Sequence, residues 1–346
     1  MARSNSGRSD ILNLRRAEVV EVCSESEILS TLDENGELDG LPFMPEMLQF
    51  CGKQFRVYRR ADKTCDTIHN TGIRRMKNCV HLEELRCGGE AHGGCQARCL
   101  IFWKEAWLKR AKPGQGEESK SPSDRLAGTV KCTAADLVSR TRKEPAADGS
   151  IEPRYSCQAT GLFRATEALS SRALGPYFRD LVSGNVSLRA WLRGVFFAAF
   201  RKLTRIGGYR IGVWTYNKIQ ALTGGCPYPY GQGKLVTTPT ATLNLQPGEL
   251  VQIKGFEEIL ATVDKRNRNR GLSFDVEMVR YCGGKYRVLQ RVERIINERT
   301  GKMIQFSAPP VMLEGVTCQS EFSEGKLFCP RSIHSYWREI WLRRAE

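Results

Sequence analysis

Residues 40–60 read GLPFMPEMLQFCGKQFRVYRR, and residues 271–291 read GLSFDVEMVRYCGGKYRVLQR. In both, a cysteine and glycine lead into an alternating run, the pattern of a strand with one buried face. The two lie 231 residues apart (271 − 40), and the same offset carries Glu18 onto Glu249 and Cys87 onto Cys318 without a gap. After a three-residue change in length, FWKEAWLKR (102–110) meets YWREIWLRR (336–344). A shared order this long points to a duplicated module, two copies forming a tandem rather than a solenoid.

The expected fold class is therefore α+β. Two tandem, related, small β-rich modules, each closed by a helix, flank a mainly helical middle segment. The opening PGELVQIK of the second copy is similar to the first strand of SH3-like barrels. Within each module AEVVEV (17–22) or its counterpart alternates as a strand, and Ser24 with Glu27 has the form of a capping box for the next helix. GLPFMPEM carries two prolines and reads as an ordered loop. In the second copy, 288–296 and 304–306 read as a hairpin around NERTGKM. Tryptophans 103, 107, 337 and 341 recur at i, i+4, a helical packing face. The expected division is a disordered 1–15, an N-terminal metal-binding module at 16–112, a linker at 113–127, the middle segment at 128–242, and the degenerate copy at 243–346. In the middle segment, 131–142 reads as a short helix and 186–205 as a long one stopped by Gly207–Gly208, while 209–236 reads as irregular.

Between the shared features lies CGGEAHGGCQARC (87–99). It packs Cys87, His92, Cys95 and Cys99 into thirteen residues, with glycines between the first three. Soft and borderline donors at this density suggest a metal site. Cys51 and Cys282 match between copies and are assigned to packing. Cys65 and Cys99 instead meet Ile296 and Ile333, the exchange expected where a ligand position is refilled by an apolar side chain. The expected metal set is Cys65, Cys87, Cys95 and Cys99, with His92 as a fifth donor. Cys95 and Cys99 would share one face at a helix start, and glycines 88, 89, 93 and 94 would turn amides towards sulfur. Zinc would take four of the five donors, and an iron–sulfur cluster would take the four cysteines. Cys157 would join only if the middle segment docks on the first module. His69, His81 and His334 read as surface or satisfied core residues, and Asp62 and Asp66 as solvated turn positions. No GxGxxG, P-loop or HExxH is present.

The chain has thirteen cysteines and a net charge of +15. MARSNSGRSD lacks the apolar run of a signal peptide, and no window reaches the roughly 18 apolar residues of a membrane span. A cytoplasmic protein is expected, where a disulfide framework is not. The charge favours an acidic partner, and the basic, apolar 186–205 helix allows peripheral membrane contact, although packing between the modules is the favoured reading. The motifs LPFMPEM, ADKTCD, AHGGCQARC–FWKEAW, GLSFDVEM, LFCPRSI and YWREIWLRR together resemble one family of bacterial proteins. That resemblance implies a whole-chain unit and brings no mechanism or catalytic residue. Three functions follow: a metal-binding accessory or scaffold protein, an iron–sulfur or iron-dependent redox enzyme on the same cysteines, or a nucleic-acid binder with SH3-like modules. The last lacks a basic stretch interleaved with aromatics.

Overall fold

The computed structural model describes residues 11–111, 131–143, 152–170, 173–206, 209–223 and 225–345. It holds seven described helices: α1 (Glu25–Thr31), α2 (Ala134–Arg140), α3 (Gln158–Gly161), α4 (Gly175–Val182), α5 (Leu188–Ile206), α6 (Tyr209–Thr223) and α7 (Phe256–Leu260). Helices and antiparallel sheets coexist, the α+β class. Two compact units divide the chain. Unit one is Met1–Cys95, Cys99–Val186 and Ile296–Met303, and unit two is Gln96–Arg98, Ser187–Ile295 and Ile304–Glu346.

Unit one is built on a five-stranded antiparallel sheet, in the order Leu100–Lys104, Cys79–Arg86, Gln54–Arg60, Val19–Val22, Leu108–Arg110. The alternation in Val19–Val22 buries Val20 and Val22 completely. At α1 the capping box forms: the Ser24 N–H donates to Glu27 Oε2 at 2.9 Å, and the Glu27 N–H to Ser24 Oγ at 3.4 Å. A smaller sheet joins Lys63–Cys65, Ile73–Arg75 and Glu167–Ala168. Gln158 on α3 fixes the middle segment to this frame. Its amide accepts from the Phe102 N–H at 2.8 Å and donates to the carbonyls of Phe102 (2.9 Å) and Pro42 (3.1 Å).

Unit two repeats the element order. Strands Leu250–Ile253 and Lys285–Arg291, helix α7 and the 3₁₀ segment Val276–Tyr281 all stand 231 residues beyond Val19–Val22, Gln54–Arg60, the start of α1 and Pro45–Phe50. Its four-stranded sheet runs Val311–Leu313, Lys285–Arg291, Leu250–Ile253, Leu342–Arg344. Arg294–Ile296 and Met303–Gln305 form a separate two-stranded hairpin around the expected turn.

Three expectations are corrected. The tryptophan segments are not helices. Leu100–Lys104 is a strand, Glu105–Trp107 a single 3₁₀ turn, and Leu108–Arg110 a strand again. Pairing with Cys79–Arg86 prevails over the i, i+4 pattern, because strand plus turn also brings Trp103 and Trp107 to the core, both at 0% exposure. Their rings meet Phe43 at centroid distances of 6.3 and 5.1 Å, as Trp337 and Trp341 meet Phe274 at 6.3 and 5.5 Å. Second, α6 occupies a stretch read as irregular. The glycines and prolines that suggested a loop are concentrated at 224–233, while Val213 and Tyr216 pack a helical face against Phe197 and Phe200. Third, the N-terminal segment is ordered from Ile11, with Leu14 fully buried. Residues 1–10, Gly207–Gly208 and the linker at 113–127 lie outside the described residues.

The burial of Leu14 depends on Glu105. This carboxylate accepts from the backbone N–H groups of Asn13 (2.9 Å) and Leu14 (3.0 Å) and pairs with Arg60 Nη1 at 2.7 Å. Glu339 does the same in unit two. It accepts from Leu243, Asn244 and Leu245 and pairs with Arg291 at 2.5 Å. Burial raises the Glu339 pKa, but the three amides and Arg291 outweigh it and hold the carboxyl below its ordinary range. Its stabilisation is therefore present above that range and is lost as the pH falls through the lowered folded value. Glu105→Ala is expected to leave two backbone amides without their acceptor and the Arg60 guanidinium with Asp62 as its remaining carboxylate, costing about 3 kcal/mol by denaturant unfolding. A shift below about 0.5 kcal/mol would show that the pair is not structural.

Candidate metal centre

Cys87 follows the Cys79–Arg86 strand directly, and its N–H donates to the Cys99 carbonyl at 2.8 Å, drawing the two ends of the 87–99 loop together. Unit two closes the corresponding loop in the same way, Cys318 N–H to the Ile333 carbonyl at 2.7 Å. Within the first loop, Gly89 (φ 81°) and Gly93 (φ 75°) take left-handed conformations. Each is also required by space. A Cβ on Gly89 would lie 1.9 Å from the Cys95 carbonyl oxygen, and one on Gly93 would lie 2.5 Å from the Tyr155 ring. The N–H groups of His92 and Gly94 both turn onto the Gly89 carbonyl (3.1 and 2.9 Å), so these amides close the loop on itself rather than facing sulfur. Residues 95–99 are irregular, with Arg98 at φ 48°, and the expected helix start beneath Cys95 and Cys99 is not formed.

This loop and the Pro45–Phe50 turn bring three donors together. The ligand atoms of Glu46, Cys87 and His92 lie within 4.8 Å of one another. Cys87 Sγ is 3.3 Å from His92 Nε2 and 3.5 Å from Glu46 Oε1, and His92 Nδ1 is 3.6 Å from the same carboxylate oxygen. His92 is 1% exposed. Both Glu46 Oε2 and His92 Nδ1 are buried without a hydrogen-bond partner among the described residues. A buried carboxylate oxygen and ring nitrogen left this way carry a desolvation cost that a bound cation would offset.

Two of the remaining candidates fall in the same neighbourhood. Burial raises the Cys87 thiol pKa, and Glu46 and the thiols of Cys99, Cys157 and Cys95 push it further in that direction. The Cys95 sulfur accepts the Ile296 N–H at 3.3 Å. Cys157 is the N-cap of α3, held there by its neighbour Gln158, and burial takes its thiol up to about 12. Docking of the middle segment has thus placed Cys157 among the loop thiols. Cys65 is buried on the Lys63–Cys65 strand, opposite Ile73. Burial also lowers the His92 pKa, an effect Glu46 partly offsets. Without a cation the pocket therefore favours a neutral imidazole and protonated thiols. A divalent ion bound here would supply the positive charge that favours the Cys87 thiolate, and a neutral imidazole is the form that ligates.

Of the residues given other roles, Asp66 differs from expectation. It is buried, not solvated, and organises a turn by accepting from the Ile68 and His69 N–H groups (both 2.9 Å) and the Thr71 hydroxyl (2.7 Å). Burial raises its pKa, but these bonds prevail and hold it at about 2. Asp62 pairs with Arg60 at 2.8 Å. His81 is a core residue whose Nδ1 lies 2.9 Å from the Ile101 carbonyl oxygen.

Sequence reading missed Glu46, although a signal was present: Glu277 stands at the same 231-residue offset. The two carboxylates have different surroundings. Glu277 accepts the N–H groups of Glu321 (3.2 Å), Phe322 (2.7 Å) and Ser323 (2.7 Å), while Glu46 faces Cys87 and His92. Comparison with family models, curated proteins and solved structures finds no match. The two glutamates should consequently respond differently to truncation. Glu277→Ala is expected to cost about 3 kcal/mol in metal-free protein because three amides lose their acceptor, and Glu46→Ala less than about 1 kcal/mol. Equal losses in denaturant unfolding would mean that Glu46 is a structural acceptor too.

Proposed function

We propose that the protein binds a metal ion in unit one, with zinc the first candidate, and acts as a metal-binding accessory or scaffold protein. The observation that carries this reading is the convergence of half-buried Glu46 and Cys87 on the buried His92. Thiolate, imidazole and carboxylate are the donor types zinc accepts in four-coordinate sites. A fourth ligand would come from Cys95, Cys99 or Cys157. Unit two serves on this reading as a degenerate copy of the module. It keeps the glutamate, binds it to backbone amides, and has Ile333 where unit one has Cys99.

The mutual influence of Cys87, Cys95, Cys99 and Cys157 supports a second reading, an iron–sulfur cluster on four thiolates. Cys157 then takes the place that the sequence suggested for Cys65.

Metal analysis of anaerobically purified full-length protein separates the two. Colourless protein with about one zinc per chain supports the first reading. Brown protein with stoichiometric iron and sulfide supports the second, and protein free of metal after growth in supplemented medium rejects both. On either reading Cys87→Ser abolishes binding, whereas Cys318→Ser in unit two leaves it intact. If zinc is bound, His92→Gln abolishes binding as well. If a cluster is bound, Cys157→Ser removes it and Cys65→Ser does not. Zinc affinity should rise with pH across neutrality, because the raised Cys87 pKa keeps a proton in competition with the metal there. An affinity flat between about pH 6 and 8 would show that no thiol proton is displaced.

A further inference from the structure

Helices α5 and α6 pack through one side only. Phe197, Tyr216, Tyr228 and Phe322 form a buried cluster between and beneath them, and Gly194 allows the Phe328 ring close enough that a Cβ would lie 2.7 Å from it. The other side of α5 presents Leu188, Leu192, Val195 and Phe196, spaced i, i+4, i+7 and i+8, all exposed. On α6, Ile211, Trp214 and Leu222 stand at i, i+3 and i+11, at 74, 62 and 88% exposure. Large apolar side chains in this number on two adjacent helices exceed the scatter of a normal surface.

The charge of this element says what covers it. From Leu188 to Thr223 there are seven Lys or Arg residues and no Asp or Glu. Arg193 and Arg201 reach out of the helix pair to Glu321 and Glu324, both at 2.7 Å. Arg189, Lys202, Arg210 and Lys218 remain exposed. On α5, Arg189 and Lys202 flank the apolar stripe on its two sides, and on α6 the Lys218 ammonium lies 5.9 Å from the Trp214 ring centroid. A second copy would bring the same cations into opposition, with no carboxylate in the helix pair to meet them. An apolar stripe rimmed by cations, with an exposed tryptophan, suits the boundary between anionic headgroups and acyl chains. It lies on the bilayer rather than crossing it, for no described helix is long and apolar enough to span a membrane.

We propose that α5 and α6 form a peripheral docking surface for anionic lipid bilayers, seating Leu192, Phe196 and Trp214 at the interface. This inference is independent of the metal centre. The test is cosedimentation of the full-length protein with vesicles of phosphatidylcholine alone or of equal parts phosphatidylcholine and phosphatidylglycerol. Binding is expected to be at least about tenfold tighter to the anionic vesicles and to weaken as salt rises from about 0.1 to 0.5 M. The triple variant Leu192→Ser, Phe196→Ser, Trp214→Ser changes only exposed positions and should keep the melting temperature while losing about tenfold in vesicle affinity. Absence of binding to anionic vesicles at low salt, or undiminished binding by the variant, overturns the proposal. So does a dimer in solution that the triple variant dissociates, which would assign the face to a second copy.

Discussion

A buried carboxylate on a single 3₁₀ turn holds each unit together. Glu105 faces Arg60 and two backbone amides of the chain entering the sheet, and Glu339 faces Arg291 and three. Taking a carboxylate out of water is costly unless it is paired and hydrogen-bonded in this way. The strand before the turn, the strand after it and the incoming segment are consequently tied at one point. The tryptophans at both ends of that region then find fixed walls. Trp107 and Trp341 donate their indole N–H groups to Thr31 and Thr262 at 3.1 and 2.9 Å, and their rings meet Phe43 and Phe274.

On this shared frame one loop differs. Both loops are closed by the same backbone bond from a cysteine N–H, and both lie over a glutamate on the preceding turn. In unit two the loop turns its amides onto Glu277, a complete structural solution. In unit one four glycines allow the loop to fold its amides onto itself and to present Cys87 and His92 to Glu46 instead. The cost is a buried carboxylate oxygen and imidazole nitrogen without hydrogen bonds among the described residues, the kind of departure from a satisfied interior that accompanies a functional pocket. The helix pair of unit two departs similarly in its exposed apolar stripe.

Much of the frame was legible. Period-two alternation gave the strands around Val20 and Val57, and Ser24 with Glu27 gave the first helix. The 231-residue spacing gave the matching element order. Local signals sufficed there because backbone pairing and capping are decided within a few residues. The tryptophan segment misled because i, i+4 aromatics serve a strand followed by a turn as well as a helix. The α6 region misled because nearby glycines and prolines masked its apolar spacing. At the candidate metal site Cys87 and His92 were legible from the density of donors on one loop, and Cys157 as a residue conditional on docking of the middle segment, but Glu46 was not.

The amino-acid sequence by itself determined which residue types crowd the 87–99 loop and which residues recur 231 positions apart. Composition and spacing are properties of the chain alone. Only the tertiary structure decided which distant side chains complete the pocket. Glu46 reaches it from the Pro45–Phe50 turn, and Cys157 because the buried Gln158 amide ties α3 to Phe102 and Pro42. A carboxylate 41 residues before its thiol neighbour becomes part of a site only when packing removes both from water and leaves them facing each other.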